Sequence, residues 1–178
     1  MAYSQTPAFE ARATGEKSRG VLRWAGKEVP CAFGRTGVIA GDQKREGDGA
    51  TPLGVWPIRQ AFWRPDRVSE PATAIPITAL TPHTGWCDDP REAAYNRLVT
   101  LPFSGSHEAM WRADELYDLV VVLGFNDDPP VPGRGSAIFL HVARPDFAPT
   151  EGCVACARAD LLALLAAAKP GDALGISA

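Results

Sequence analysis

The most reactive side chain in the sequence is a cysteine that follows a small turn. Cys153 stands in the segment Thr150-Glu151-Gly152-Cys153-Val154-Ala155-Cys156, directly before a leucine-rich stretch that predicts a helix. A thiol at a helix N-terminus has a lowered pKa, because the helix dipole favours its thiolate. Gly152 leaves room for a substrate carbonyl, and backbone N–H groups of the turn could bind an oxyanion. The segment favours a nucleophilic thiol, although a buried apolar cysteine would have the same local sequence.

A histidine stands within reach of this cysteine. His141 ends the apolar segment Ile138–Leu140, twelve positions before Cys153. A strand end, a short loop and a helix start would bring both side chains to one edge of a sheet. Cysteine and histidine within hydrogen-bond distance form an activated nucleophile and its base. A core histidine without catalytic function is the alternative, and His83 and His107, in polar loop segments, are predicted at the surface.

The same residues also allow a metal site or a redox pair. His141, Cys153 and Cys156 could ligate zinc, as in nucleobase deaminases. Ala143, however, stands where those enzymes have their glutamate, and Gly152 where they have proline. Cys153 and Cys156 also have the spacing of a thioredoxin-like redox pair, but the βαβ start that such a pair needs is absent upstream.

Short extended segments dominate the elements that must position these side chains. Glycine-containing turns separate them, and a further turn is predicted at Thr51-Pro52-Leu53-Gly54. The predicted strands are Val21–Trp24, Val29–Phe33, Gly37–Ala40, Val55–Arg59, Leu98–Leu101, Leu119–Leu123, Ala137–Val142 and Ala173–Ser177.

Helical segments are few. Asp89-Pro90 resembles an N-cap followed by a first-turn proline, and predicts a short helix toward Tyr95. The leucine-rich segment Arg158–Lys169 predicts the main helix, which Pro170-Gly171 ends. We expect a flexible N-terminal arm over residues 1–19 and one mostly β (α+β) domain over 20–178, with two or three helices in all.

Length and composition exclude several classes of protein. The chain has 178 residues, of which 46% are hydrophobic and 22% charged, so a wholly disordered chain is excluded. With a net charge of −3 and no basic stripe, a nucleic-acid partner is not expected. No apolar run is long enough to span a membrane, and residues 1–20 show no signal-peptide core. Four cysteines are too few and too unevenly spaced for a disulfide scaffold.

Taken together, these motifs resemble the YkuD-type L,D-transpeptidases, cysteine enzymes of bacterial cell-wall synthesis. That family has a strand histidine, a short spacer and then [Ser/Thr]-His-Gly-Cys, to which His141 and the segment Thr150–Cys153 correspond. The turn Thr51–Gly54 and the helix and strand after the cysteine also fit, so the likeness covers residues 20–178. Glu151 and Ala155 depart from the family pattern, and the spacer is short. The resemblance implies one catalytic domain of β-sandwich or barrel-like sheets, in a divergent branch.

The resemblance also implies a mechanism without a metal or an organic cofactor. Cys153 would attack a carbonyl of a peptidoglycan stem peptide, with His141 as the base and the Val142 carbonyl orienting its ring. The N–H groups of Gly152 and Cys153 would hold the oxyanion, and an amine of a second stem would resolve the thioester. If water resolves it, the product is that of an L,D-carboxypeptidase or endopeptidase. The linkage type, 3-3 or 1-3, stays open.

Cationic and aromatic groups are expected to hold the carboxylate-bearing stems. The implied localisation is the periplasm or cell envelope, with a monomeric enzyme, peptidoglycan stem peptides as partners and carbapenem-type inhibitors. The candidate substrate-binding residues are Thr150, Glu151, Arg144, Arg112, Trp111, Asn126, Tyr95 and Arg97.

Overall fold

The computed structural model describes residues 6–178, which form thirteen strands and one helix. The strands are β1 (Phe9–Ala13), β2 (Arg19–Trp24), β3 (Lys27–Ala32), β4 (Val38–Ala40), β5 (Thr51–Trp63), β6 (Ile77–Ala79), β7 (Thr84–Cys87), β8 (Leu98–Thr100), β9 (His107–Ala109), β10 (Leu119–Leu123), β11 (Phe139–Val142), β12 (Val154–Cys156) and β13 (Ala173–Ser177); the helix α1 spans Arg158–Ala167.

Ten strands form one sheet that closes on itself. Its order is β10-β11-β12-β3-β2-β1-β13-β5-β4, and β10 also pairs with the second half of β5. This last pairing completes a barrel-like ring of eight strands, while β4 and β6 flank β5. A separate three-stranded sheet, β8-β7-β9, lies beside the ring's β10–β11 side, where Trp86 of β7 packs edge-on against Phe139 of β11.

The three strands β10, β11 and β12 are buried throughout. Their alternate side chains fall into two separate apolar clusters, because successive side chains of a strand point to opposite faces. One face packs with Leu161, Leu164 and Leu165 of α1. The other face carries Phe139 and packs with Cys153. Burial of both faces explains the continuous apolar runs of these strands in the sequence.

The predicted fold class is confirmed: the domain is mostly β with barrel-like sheets. β10 and β13 have the predicted bounds, and α1 begins at the predicted Arg158. The prediction of two or three helices is wrong for the described residues, in which one helix is present. The segment from Asp89 to Tyr95 forms turns, since the Asp89 carboxylate binds both the backbone N–H and the guanidinium of Arg91.

Two further expectations about local structure are wrong. The segment Thr51–Gly54 is the start of β5, where it pairs with β4, and is not a turn. The expected arm over residues 1–19 includes β1, which lies between β2 and β13 with Phe9 and Ala11 buried. A five-residue strand with two buried side chains is too short to show a periodicity in the sequence, and its position is fixed by backbone pairing on both sides. Residues 1–5 of the predicted arm lie outside the described residues.

Candidate active site

Cys153 lies immediately before β12, on the strand face that also carries His141. β11 and β12 run parallel, and His141 is opposite Ala155. Since side chains alternate along extended backbone, Cys153 points to the same face as Ala155, and therefore as His141. The sheet register thus places the thiol and the imidazole at diagonal positions on neighbouring strands.

Hydroxyl groups hold the turn that presents the thiol. Thr150 Oγ1 donates to the Cys153 carbonyl at 2.6 Å and accepts from the Gly152 N–H at 3.2 Å, and Thr51 Oγ1 donates to the same carbonyl at 3.2 Å. Gly152 has φ +137°, and a Cβ there would lie 2.9 Å from the Ala50 carbonyl oxygen. Only glycine fits this position. The Gly152 N–H is already bound by Thr150 Oγ1. Of the two N–H groups predicted to hold an oxyanion, that of Cys153 is therefore the remaining candidate.

The thiol forms hydrogen bonds with backbone groups at and just before the start of β11. Cys153 Sγ donates to the Ala137 carbonyl at 3.2 Å and accepts from the Phe139 N–H at 3.4 Å. Burial, together with the negative charge of Glu108, raises the pKa of the Cys153 thiol to about 12. At neutral pH the Cys153 thiol is therefore protonated.

The expectation of a thiolate stabilised by a helix N-terminus is wrong. The strand Val154–Cys156 separates Cys153 from α1, which begins at Arg158. The dipole effect acts only within the first turn of a helix, so Cys153 lies beyond its reach. The structure also places the thiol of Cys156 on the strand face opposite to that of Cys153.

The imidazole of His141 is held in one tautomer. Its Nδ1 lies 2.9 Å from the Val142 carbonyl oxygen, which can only accept, so Nδ1 carries the proton and Nε2 is free. Burial lowers the pKa of His141 to about 4, so the ring is neutral at physiological pH. The expected contact with Val142 is therefore present. Within residues 6–178 no hydrogen bond joins the imidazole to Sγ of Cys153.

An open cleft of about 560 Å³ receives both side chains. Five further residues of the predicted site line it, as do charged and polar residues from five other segments. The predicted residues are Gly152, Thr150, Glu151, Arg144 and Arg112; the others include Lys44, Glu46, Asp88, His107, Glu108, Tyr117 and Ser136.

A thiol and a neutral histidine on adjacent strands, lining one cleft, are side chains that can act as a nucleophile and its base. Comparison with protein families agrees: the model of the L,D-transpeptidase catalytic domain, YkuD, matches residues 14–176. The chain belongs to the YkuD family. Searches of curated proteins and of solved structures found no match to it. Among the described residues of this YkuD domain, no helix has the length and apolar character needed to cross a membrane.

One wall of the YkuD cleft is an aromatic and charged group in which the predicted Arg112 lies beside Glu108 and Tyr117, two residues that the sequence did not indicate. The Tyr117 hydroxyl donates to Glu108 Oε1 at 2.6 Å, and the tyrosine ring packs against His141 with centroids 5.4 Å apart. The Arg112 guanidinium lies 5.2 Å from the Tyr117 ring centre and is bound by Asp114. Glu108 is on β9 of the three-stranded sheet, and Tyr117 precedes β10 of the ring. The two residues meet because the two sheets pack against each other.

The pKa of Glu108 is raised by its burial. Both contacts of its carboxylate, from Tyr117 and at 3.9 Å from Arg112, fall on Oε1. Glu108 lines the cleft, and its negative charge opposes ionisation of the nearby Cys153 thiol.

We expect Glu108→Gln to speed alkylation of Cys153 by iodoacetamide about threefold at pH 8, because loss of the negative charge lowers the pKa of the thiol. Glutamine keeps an oxygen that can accept from Tyr117, so the wall should stay in place. The measurement is the alkylation rate followed by intact mass. Glu115→Gln, at an exposed position, is the matched control and should leave the rate unchanged; a slower rate in Glu108→Gln would contradict the electrostatic argument.

Glu151 and Thr150 line the cleft in different ways. Glu151 is exposed at the rim, where it forms an ion pair with Arg35 at 2.8 Å. Thr150 is buried, and its hydroxyl is committed to the turn. The structure thus gives Thr150 a structural contact where substrate binding was expected.

Four residues of the predicted substrate site do not line the cleft. The Trp111 ring is covered by the guanidinium of Arg64, 3.7 Å from its centre. Arg97 lines a second cavity, of about 280 Å³, on the other side of Trp86. Side-chain type alone indicated these residues, and side-chain type does not fix where a residue lies in the fold.

The side chains of Asn126 and Tyr95 form hydrogen bonds that hold the loops around the cleft. The Asn126 amide donates to the carbonyls of Val131 and Gly135 and accepts from the Val131 N–H, so it closes the loop between them. The hydroxyl of the buried Tyr95 donates to Glu46 Oε2 at 2.6 Å and accepts from the Gly135 N–H. Tyr95 therefore supports a residue of the cleft wall without reaching the cleft itself.

The zinc and redox-pair alternatives both fail on geometry. Cys156 packs in the core beside α1, whereas Cys153 and His141 share the opposite face of the sheet. The three proposed ligands therefore do not converge, and no group of three histidine, cysteine or carboxylate ligands is found anywhere in residues 6–178.

Proposed function

We propose that this YkuD domain is a peptidoglycan L,D-transpeptidase that cross-links stem peptides through a thioester on Cys153. The observation that carries the proposal is that Cys153 and His141, whose Nδ1 is bound by Val142, line one cleft. An acyl transfer by cysteine needs a thiol, a neutral base and access for a bulky substrate, and all three meet there. Family membership supplies the substrate class.

In the proposed first step, a stem peptide enters the cleft and Sγ turns from the Ala137 carbonyl toward the scissile carbonyl. His141 Nε2 takes the thiol proton as the C–S bond forms, because a thiol with a pKa of about 12 supplies almost no thiolate in advance. The Val142 carbonyl holds Nδ1–H and stabilises the imidazolium. The N–H of Cys153 receives the oxyanion, and His141 then protonates the departing amine.

In the second step, a neutral amine of another stem attacks the thioester carbonyl, His141 Nε2 takes the proton that the amine loses, and the C–S bond breaks as that proton passes to Sγ, so that Cys153 leaves as a thiol. Four carboxylates line the cleft beside the cations Lys44, Arg112 and Arg144, and they favour the approach of an acceptor stem that carries a positive charge: Glu46, Asp88, Glu108 and Glu151. If water is the acceptor instead, the same site is an L,D-carboxypeptidase or endopeptidase. The proposal takes the amine as acceptor and leaves the linkage as 3-3 or 1-3.

A carbapenem tests the nucleophile. We expect one covalent adduct per chain by intact mass, formed on Cys153 and absent in Cys153→Ala, because the β-lactam carbonyl acylates an activated thiol as a stem carbonyl would. Cys87→Ala, which removes another buried thiol, is the matched control and should retain the adduct. An adduct on Cys153→Ala, or none on the unchanged chain, would contradict the assignment.

Purified disaccharide peptides test the reaction. Cross-linked dimers, identified by mass after incubation with the enzyme, support transfer to an amine, and fragmentation of the dimers gives the linkage. Shortened monomers without dimers would contradict the transpeptidase assignment and support a hydrolase. We propose the periplasm or cell envelope as the place of the reaction, since the polymer lies there.

A further inference from the structure

Two cysteines outside the cleft lie directly opposite each other on neighbouring strands. β12 and β3 are antiparallel, and Cys156 is paired with Cys31. Opposed residues of antiparallel strands point to the same face, so both thiols project into the core beside α1. Both are free in this structure and fully buried.

The hydrogen-bond pattern of the sheet shows what kind of pair they form. The N–H of Phe33 donates to Ser18 on the β2 side, and backbone groups alternate sides along a strand, so those of Cys31 also face β2. The carbonyl of Cys156 accepts from the Ala143 N–H, on the β11 side. Neither cysteine directs its backbone groups at the other. Cys31 and Cys156 are therefore a non-hydrogen-bonded pair.

This pair type brings side chains closest in an antiparallel sheet. Its Cα atoms lie about 4.5 Å apart, whereas hydrogen-bonded pairs lie about 5.5 Å apart. Disulfides span Cα separations of roughly 4.4–6.8 Å. The backbone around Cys31 and Cys156 thus already has the separation that the bond requires.

We propose that Cys31 and Cys156 form a cross-strand disulfide when the chain folds in an oxidising compartment. A disulfide-carrying oxidant of that compartment accepts the two electrons: each cysteine loses its thiol proton, the S–S bond forms, and the oxidant leaves as a dithiol. Burial raises the pKa of both thiols in the folded chain, to about 12 for Cys31. The bond therefore forms while β3 and β12 pair, before the core closes over them.

The bond would tie β3 to β12, the strand whose first residue follows the nucleophile. It would also remove the two core thiols from exchange with Cys153, which lies on the other face of β12. Cys87, in the three-stranded sheet, would stay free.

The test compares full-length chain made in two compartments of one bacterial host. One pool is made in the reducing cytoplasm, and the other is sent to the oxidising periplasm by an added export leader. Folded protein from each pool is alkylated under denaturing conditions and digested. We expect Cys31 and Cys156 in one linked peptide in the exported pool, and both alkylated in the cytoplasmic pool. We also expect a Tm about 10 °C higher in the exported pool, because the bond closes a long loop.

Two variants complete the test. Cys31→Ala should abolish the linked peptide and the Tm difference between the pools, and Cys87→Ala should keep both. If Cys31→Ala does not fold, the peptide map of the unchanged chain decides alone. Alkylation of both cysteines in the exported pool, or a bond to Cys87 or Cys153, would overturn the proposal whatever the outcome of the carbapenem and disaccharide-peptide experiments.

Discussion

His141→Gln is expected to slow acylation of Cys153 by a carbapenem about 1,000-fold. The resting thiol is neutral, so removal of the base removes the route by which its proton leaves as the C–S bond forms. Glutamine is close to histidine in volume and can still donate to a nearby carbonyl, so the core should tolerate it. The measurement is the rate of adduct formation by intact mass.

The pH profile distinguishes a base from a residue that only fills space. Because the pKa of His141 is lowered to about 4, acylation of the unchanged chain should be constant near neutral pH and fall as the pH is lowered through about 4. The residual rate of His141→Gln should lack this titration. His107→Gln replaces another histidine of the cleft wall and is the control. A rate in His141→Gln within tenfold of normal would refute the assignment of the base.

Asn96→Ala is expected to lower the free energy of unfolding by about 4 kcal/mol, because it leaves several buried polar groups without partners. Asn96 Oδ1 accepts from Trp86 Nε1 at 3.0 Å and from the Ala137 N–H at 3.1 Å. Its Nδ2 donates to the carbonyls of Phe125 and Asn126. Thermal unfolding should show a Tm lower by about 10 °C.

The same variant should also impair the nucleophile. Ala137 has φ +51°, and its carbonyl accepts the thiol hydrogen of Cys153, so Asn96 holds the loop that positions the thiol. Carbapenem acylation should fall about tenfold even well below the lowered Tm. Gln43→Ala, at an exposed position, should change the unfolding free energy by less than about 0.5 kcal/mol. A loss of under 1 kcal/mol in Asn96→Ala would show that other contacts hold this loop.

The parts of the fold that sequence predicts best are those buried on both faces. Leu119–Leu123 is a run of five apolar residues, and the strand has the same bounds because every residue in it packs. β12 was missed because Val154–Cys156 is only three residues long and joins the helix through a single residue, Ala157. With no strand predicted between Cys153 and the helix, the sequence places the thiol beside the helix N-terminus, and this produced the wrong expectation for the pKa of Cys153.

The sequence alone predicts the two residues at the centre of the candidate site, but it does not predict the residues that form the walls of the cleft. Cys153 and His141 stand in segments whose local pattern shows a turn and a strand end. Glu108 and Tyr117 meet only because two sheets pack, and nothing in their own segments indicates that contact. Asn126 has a side chain suited to substrates, yet its loop uses its hydrogen-bonding groups.

The closed ring of eight strands has a consequence for the behaviour of the protein in concentrated solution. In the part of the chain that the structure describes, each strand of the ring is paired on both sides. The strands that end a pairing path are β4, β6, β8 and β9, and each has only three residues. Long unpaired edges are the templates on which foreign strands add and aggregates grow. The unpaired edges of the described strands are only three residues long, so we expect little edge-to-edge aggregation of the folded domain.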